Sequence, residues 1–292
     1  MKKVYKESEL ILNPDGSIYH IKLKPENIAQ KVIVVGDQGR VETVSKHFEK
    51  IEHKSQNREF VTHTGYFNGK RITVMSTGIG TDNIDIAINE LDAAVNIDLE
   101  KRIAKDKHTS LDIIRIGTSG ALQADIEVDS FVASTHGMGF DGLLNFYDYK
   151  EGITEDDISN AFIDYAKWGK KLTYPYVVKG SDMLLEKIAH GLKSGITATA
   201  SGFYGPQGRE LRIPLSVPDL NEKIENFNYN GHRITNFEME TSALYGLGKI
   251  LGHNTLTICA IIANRLAKTY SKDYKKSVET LIKLVLERFT SY

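Results

Sequence analysis

The chain has 292 residues, 41% of them hydrophobic, which is enough for one large α/β domain with a substantial buried core. Its 37 basic and 38 acidic side chains leave a formal net charge of −1, which excludes a broadly basic surface for nucleic acid or anionic membrane. The lone cysteine, Cys259, lies in an apolar run and reads as a core residue, excluding a disulfide framework or a cysteine zinc site. No apolar stretch is long enough for a signal peptide or a membrane span, so a soluble, cytoplasmic protein is expected.

Strands and helices alternate along the chain. Residues 31–37 (KVIVVGD) predict a buried strand ending in Gly-Asp, and 39–51 a helix behind it. Residues 59–80 predict a hairpin turning at Asn68-Gly69, and 83–97 carry apolar side chains at helical spacing. The charged stretch 98–108 is expected to be a solvated helix end. Strands are predicted at 111–120, 128–135, 174–180 and 195–201, with helices at 157–172 and 181–192 between them. A strand-to-helix unit at 233–251, a strand at 255–264 and a helix at 275–290 close the chain. No linker or repeat divides it.

Several strands end in glycine-rich turns, where backbone N–H groups stay free for an anion and where α/β sheets collect ligands. The dinucleotide and P-loop fingerprints both fail: "GIGTDN" lacks the third glycine, and "GYFNGK" is one residue short without the following Ser/Thr. The nine histidines show no metal-ligand spacing. Arginines stand beside these turns instead: Arg40 after "GDQG", Arg58 opening "REF", and Arg115 before "IGTSG". A guanidinium fork matches phosphate oxygens. Arg115 sits in a run that otherwise reads as buried, so it needs an anionic partner. The irregular loop 202–212 carries Phe203, Gln207 and Arg209, a set able to hold a flat heterocycle or to form an ordinary surface turn. "NFEMETSALY" places Glu238 and Glu240 where a strand becomes a helix. Sugar hydroxyls, a metal ion and solvation of a helix start are all open there on the residues alone.

Seven segments, "GDQGR", "REF", "STGIG", "RIGTSGAL", "FYGPQGR", "NFEMETSAL" and "IIANRL", occur in this order. Together they resemble the nucleoside phosphorylase superfamily, and within it the uridine phosphorylases. The resemblance implies an α/β domain over residues 18–292, with a mixed central sheet flanked by helices, behind an N-terminal extension of residues 1–17. It implies a pentosyltransferase that cleaves uridine with phosphate to uracil and ribose 1-phosphate, with no cofactor and no metal. Gly36, Arg40, Arg115 and Thr118 resemble the phosphate site, and Arg58 the arginine reaching a neighbouring subunit's phosphate. His20 resembles the histidine donated across that interface to the ribose 5′-hydroxyl. Glu238, Met239 and Glu240 resemble the ribose triplet, and Phe203, Gln207 and Arg209 the uracil pocket, with Glu240, Arg209 and Gln207 the catalytic group.

A homodimer with shared sites, or a hexamer built from it, is expected. A purine nucleoside phosphorylase, a hydrolytic nucleosidase of the same fold and a non-catalytic nucleoside-binding protein are the alternatives. Asn264 stands where purine-cleaving relatives commonly carry an aspartate. The sequence departs from the family at "GDQGR" and at "GIGTDN", where Asn83 replaces the serine of a monovalent-cation site.

Overall fold

The computed structural model describes residues 2–292. Its centre is a twelve-stranded mixed sheet, as the alternating pattern requires. Strand β1 (Lys31–Val35), buried after its first residue, leads into helix α1 (Gln38–Ser45), whose N-terminus is capped by Asp37 accepting from Gly39 N. Strands β2 (Lys50–Asn57), β3 (Phe60–Phe67) and β4 (Lys70–Ser76) follow. Asn68 and Gly69 both adopt positive φ, the geometry a two-residue hairpin between β3 and β4 demands.

Helix α2 (Thr81–Asn96) buries Ile84, Ala87, Ile88 and Leu91, one stripe at helical spacing. A short ribbon, β5 (Ile97–Asp98) with β6 (Ile103–Ala104), precedes β7 (Asp112–Ala121) and β8 (Phe131–Gly139). Helix α3 (Asp156–Ala166), β9 (Tyr176–Lys179), α4 (Asp182–Ile188) and β10 (Lys193–Thr199) come next. They are followed by α5 (Leu220–Asn226), β11 (Asn228–Tyr229), β12 (His232–Glu238) and α6 (Thr241–Leu251). Strand β13 (Asn254–Asn264), β14 (Thr269–Tyr270) and α7 (Tyr274–Thr290) complete the chain.

Several sequence expectations need correction: the helices over 157–172 and 181–192 stop at Ala166 and Ile188, with Lys167 left-handed after the first. The helix over 39–51 stops at Ser45, and residues 50–57 form an edge strand. Its sequence, KIEHKSQN, has no run of apolar side chains because neither face is fully buried, so periodicity gave no signal. Residues 98–108 are not a helix end: they carry the β5–β6 ribbon, and the N-terminal segment lies against it through a Val4–Ile103 bridge and Tyr5 N donating to Arg102 O (2.8 Å). That segment also buries Leu10.

The sheet runs β11-β12-β10-β8-β13-β7-β1-β4-β3-β2, and an additional β12–β7 pairing closes β7, β13, β8, β10 and β12 into a barrel. The closing contact places the end of β12 against the end of β7, with Phe237 opposite Gly120. Helices α2 and α6 cover one face, in a core containing Ile84, Leu91, Leu244 and Tyr245. Helices α1, α4 and α7 cover the other, in a core containing Val41, Leu184, Leu281 and Phe289. Strands β1, β4, β7 and β13 run parallel, so their C-terminal ends open on one rim, the place where such sheets collect ligands.

Candidate active site

Arg115 projects from β7 and is buried, 5% exposed. Gly117 leaves room for it: a Cβ there would collide with Arg115 Nη1 and come within 2.8 Å of Cys259 Sγ. The guanidinium meets both glutamates. Its Nη1 lies 3.2 Å from Glu238 Oε2, and its Nη2 bonds Glu240 Oε2 in a very short contact. Burial alone would lower the Arg115 pKa; Glu240 first and Glu238 second more than offset it and raise it above the ordinary value.

The two carboxylates do different things. Glu238 Oε1 accepts from Thr199 Oγ1 (2.7 Å), and Oε2 accepts from Glu240 N (3.0 Å) and Thr241 N (3.0 Å). It thus satisfies the first N–H groups of α6, where an anion is favoured. Burial pushes its carboxyl up, against the pull of Arg115. Glu240 Oε1 accepts from Gly80 N (2.9 Å), at the N-cap of α2, where φ of +98° suits glycine. Met239 lies between them, half-buried on the rim. The expectation that Arg115 is buried against an anion holds, and its anions are these two glutamates.

Of the residues expected to hold phosphate, Gly36 directly follows β1, facing the Gly78 carbonyl; a Cβ would sit 3.3 Å from that oxygen. Arg40 reaches across from α1 to donate to Ile116 O (3.2 Å) and forms no ion pair among the described residues. Burial, and then Arg115 beside it, lower its pKa. Thr118, half-buried, lies three residues along β7 from Arg115. Arg58, at the β2–β3 turn, is exposed with φ of +52°, and its carbonyl accepts from Gln38 Nε2 of α1 (2.8 Å). Its guanidinium lies 5.9 Å from the Tyr19 ring centroid. His20, on the strap between the N-terminal segment and β1, pairs with Glu90 of α2.

The heterocycle loop is built as a unit. Gln207, buried in a 3₁₀ turn (Gly205–Gln207), accepts at Oε1 from Arg209 Nη1 (2.5 Å). The same Nη1 donates to Phe203 O (2.6 Å), and the guanidinium lies 3.8 Å above the Phe203 ring, itself half exposed. Burial lowers the Arg209 pKa. The loop borders a 760 Å³ cleft lined by Phe140, Trp168, Tyr204, Arg209, Ile213 and Leu220.

Sequence reasoning passed over Arg265, which enters this corner from the end of β13. Its Nη1 is buried with no hydrogen-bond partner among the described residues. Desolvation, and then Arg209, push its pKa down to about 10. The "NRL" stretch named it, but only the fold puts it beside Gln207: Asn221, oriented to satisfy both its amide atoms, accepts from Arg265 Nη2 (3.2 Å) and donates to Gln207 O (3.2 Å).

Asn264 is a strand-end anchor. Its Nδ2 donates to Gln123 O (3.0 Å) and Ile126 O (2.7 Å), and its Oδ1 accepts from Leu266 N (3.0 Å) and Ala267 N (2.9 Å).

One cluster among the described residues, Asp92, His108 and His253, has metal-ligand spacing. His253 Nδ1 accepts from Leu111 N (3.1 Å), so the neutral ring carries its proton on Nε2, 3.3 Å from Asp92 Oδ1. Protonated there, that nitrogen has no lone pair for a metal, and it lies buried with no hydrogen-bond partner among the described residues.

Residues 30–290 match the family model described as the phosphorylase superfamily. The chain is 31% identical to the uridine phosphorylase of Thermococcus kodakarensis, over 90% of this chain and 83% of that protein. It is 29% identical to the uridine phosphorylase of Treponema pallidum, over 85% and 82%. A DeoD-type purine nucleoside phosphorylase of Bacillus cytotoxicus matches at 25%, over 92% and 97%. Among solved structures, a Trypanosoma brucei nucleoside phosphorylase that shows uridine phosphorylase activity superposes with a TM-score of 0.86 at 27% identity, covering 97% of this chain and all of that one. The chain belongs to the phosphorylase superfamily. Its single α/β domain with a mixed central sheet is the fold of these nucleoside phosphorylases.

Proposed function

We propose that the protein is a uridine phosphorylase: phosphate attacks C1′ of uridine, the C1′–N1 bond breaks, and uracil leaves with the bonding pair. Ribose 1-phosphate is the second product. The uracil anion takes its proton from water. The observation that carries the reading is the junction of Arg115 with Glu240, which puts a phosphate-binding cation and a hydroxyl-binding carboxylate in one contact on the strand-end rim.

Gly36, Arg40, Arg115 and Thr118 hold phosphate below the sugar. Glu240 accepts from the 2′ and 3′ hydroxyls and stabilises the positive charge that builds on the ring, with Met239 against the sugar face. Glu238, its oxygens already taken by Thr199 and the start of α6, acts by holding Arg115 and the helix in place. Gln207 and Arg209, with Phe203 under the ring, meet uracil edges whose negative charge grows as the bond breaks. Such contacts strengthen in the transition state and therefore accelerate the step. No cofactor or metal enters. Arg58, exposed at its turn, and His20, a quarter exposed on its strap, serve the site of a second copy, in a homodimer with two shared sites; a hexamer built from such dimers is compatible with the same contacts.

The test is base release from uridine with and without phosphate, with inosine as comparator. Phosphate-dependent release of uracil, faster than hypoxanthine from inosine, is expected. Inosine turnover at or above that of uridine makes the protein a purine nucleoside phosphorylase, phosphate-independent release makes it a nucleosidase, and binding without release makes it a nucleoside-binding protein.

A further inference from the structure

His20 is held from three directions by one side chain. Glu90, in the third turn of α2, accepts at Oε2 from His20 N (3.0 Å) and Ile21 N (2.9 Å), and at Oε1 from His20 Nδ1 (2.6 Å). From the opposite side Asn57 Nδ2 donates to Tyr19 O (3.2 Å) and His20 O (2.9 Å). Ile18, Ile21 and Leu23 bury themselves among Ile84, Ala87, Ile88 and Leu91 of α2, so the strap is seated on the helix that carries Glu90. The His20 ring remains about a quarter exposed, and its Nε2 makes no hydrogen bond among the described residues.

We propose that Glu90 is the positioning residue for His20: it fixes both the ring's direction and its tautomer, so that Nε2 faces outward as an acceptor for the nucleoside 5′-hydroxyl of a neighbouring copy. The reasoning is chemical. Three hydrogen bonds converge on a carboxylate that already receives two backbone N–H groups, and an ionised carboxylate only accepts. Nδ1 must therefore carry the proton. A neutral imidazole protonated at Nδ1 has its lone pair on Nε2. A hydroxyl can then donate to the histidine while its own oxygen remains free for water. The same helix begins at Gly80, whose N–H holds Glu240. One rigid element thus sets the sugar carboxylate of its own site and the histidine lent to the next.

The proposal rests on the shared-site reading above for the identity of what His20 touches, though not for the tautomer. The tautomer is read from ¹⁵N shifts of the full-length protein labelled at histidine, with the His20 signals identified by their loss in His20→Ala. Wild type is expected to show Nδ1 protonated and Nε2 bare. In Glu90→Gln the amide oxygen keeps the two backbone donors and its NH₂ turns to Nδ1, so the pattern inverts. A merely structural glutamate would not move it.

The kinetic arm compares kcat/KM for uridine and 5′-deoxyuridine. His20→Ala is expected to lose a preference for uridine of about tenfold, the size of one good hydrogen bond. Glu90→Ala should lose the same preference to within about twofold, and the double variant no more, since both act through one contact. A wild-type ring protonated at Nε2 overturns the proposal. So does a Glu90→Ala enzyme that keeps the full preference while His20→Ala loses it. If His20→Ala also keeps it, the shared-site reading falls instead, and the spectrum alone decides the role of Glu90. Should the Glu90 variants fail to fold, the wild-type spectrum still decides the tautomer.

Discussion

Arg115 of β7 and Glu240 at the start of α6, 125 residues apart in sequence, share a buried hydrogen bond between Nη2 and Oε2. Each would be costly alone in that setting: an unpaired buried charge destabilises by about 3–5 kcal/mol when its partner is removed. Paired, they neutralise one another, and the remaining Glu240 oxygen is set by Gly80 N.

Glu240→Gln preserves shape and removes the charge. If the carboxylate stabilises positive charge on the ribose ring, kcat/KM for uridine should fall by about 2–4 kcal/mol, the range for one preorganised electrostatic group. The loss should appear in kcat. Steady-state kinetics measure it, and a near-normal kcat would reduce Glu240 to a structural partner of Arg115.

Much of this was legible in the sequence. The rim strands β1, β4 and β7 are apolar runs with glycine at or just beyond their ends, and Arg115 was conspicuous as a cation inside one of them. The β2 edge was hidden because KIEHKSQN alternates between exposed and half-buried positions with no apolar face to betray it. The β5–β6 ribbon was hidden by its charged loop. Barrel closure was invisible too, since the β12–β7 pairing joins segments more than 110 residues apart and leaves no local signature. In the site, the sequence grouped Glu238 with Glu240 by spacing alone. Only the coordinates separate a carboxylate held by Thr199 and two backbone N–H groups from one held by Arg115, Gly80 N and Met239 N. Arg265 was missed for a related reason: its neighbours Gln207, Arg209 and Asn221 come from the 202–212 loop and the start of α5, 44 to 58 positions away.

Arg265 should tune affinity for the base. A guanidinium nitrogen buried without a partner beside Arg209 awaits an acceptor, and a uracil carbonyl supplies one. Arg265→Leu is expected to lower kcat/KM for uridine by roughly 10- to 100-fold, the value of a hydrogen bond to a charged group. Its Tm should be unchanged or higher, because the substitution removes an uncompensated buried polar atom. Kinetics and calorimetry on the same preparation check both halves. Unchanged kcat/KM would detach Arg265 from the base site.

His136 gives a stability prediction with a definite sign. It is buried on β8, edge-on to His232 with ring centroids 5.0 Å apart, and Lys179, Lys249 and Asp182 also face it. Burial, then His232, then Lys179 push its pKa down to about 4 from 6.5. Between these values the unfolded chain binds the proton and the native chain does not, so stability is present above the unfolded pKa and drains away as pH falls. Denaturant titrations at pH 7 and pH 5 should differ by on the order of 1–2 kcal/mol from this group, with the acid side weaker. His136→Gln should flatten that difference. An unchanged slope would assign the acid sensitivity to other groups.

The shared site can be tested by complementation. Arg115→Ala is a poor tool, since it strands Glu238 and Glu240 without a counter-charge. Arg40 forms no ion pair among the described residues, so Arg40→Ala tests its proposed phosphate contact and leaves no carboxylate alone. Arg58→Ala removes the exposed arginine at the β2–β3 turn. Each variant alone should be nearly inactive. In a two-fold assembly each site takes Arg40 from one chain and Arg58 from the other. Mixing the variants after reversible dissociation makes about half of the dimers hybrids. In each hybrid one site draws Arg40 from the Arg58→Ala chain and Arg58 from the Arg40→Ala chain and is whole, while the other lacks both. Roughly a quarter of wild-type activity should therefore return. Native mass spectrometry verifies the exchange. If hybrids form and no activity returns, Arg58 works within its own chain or not at all, and the sites are not shared.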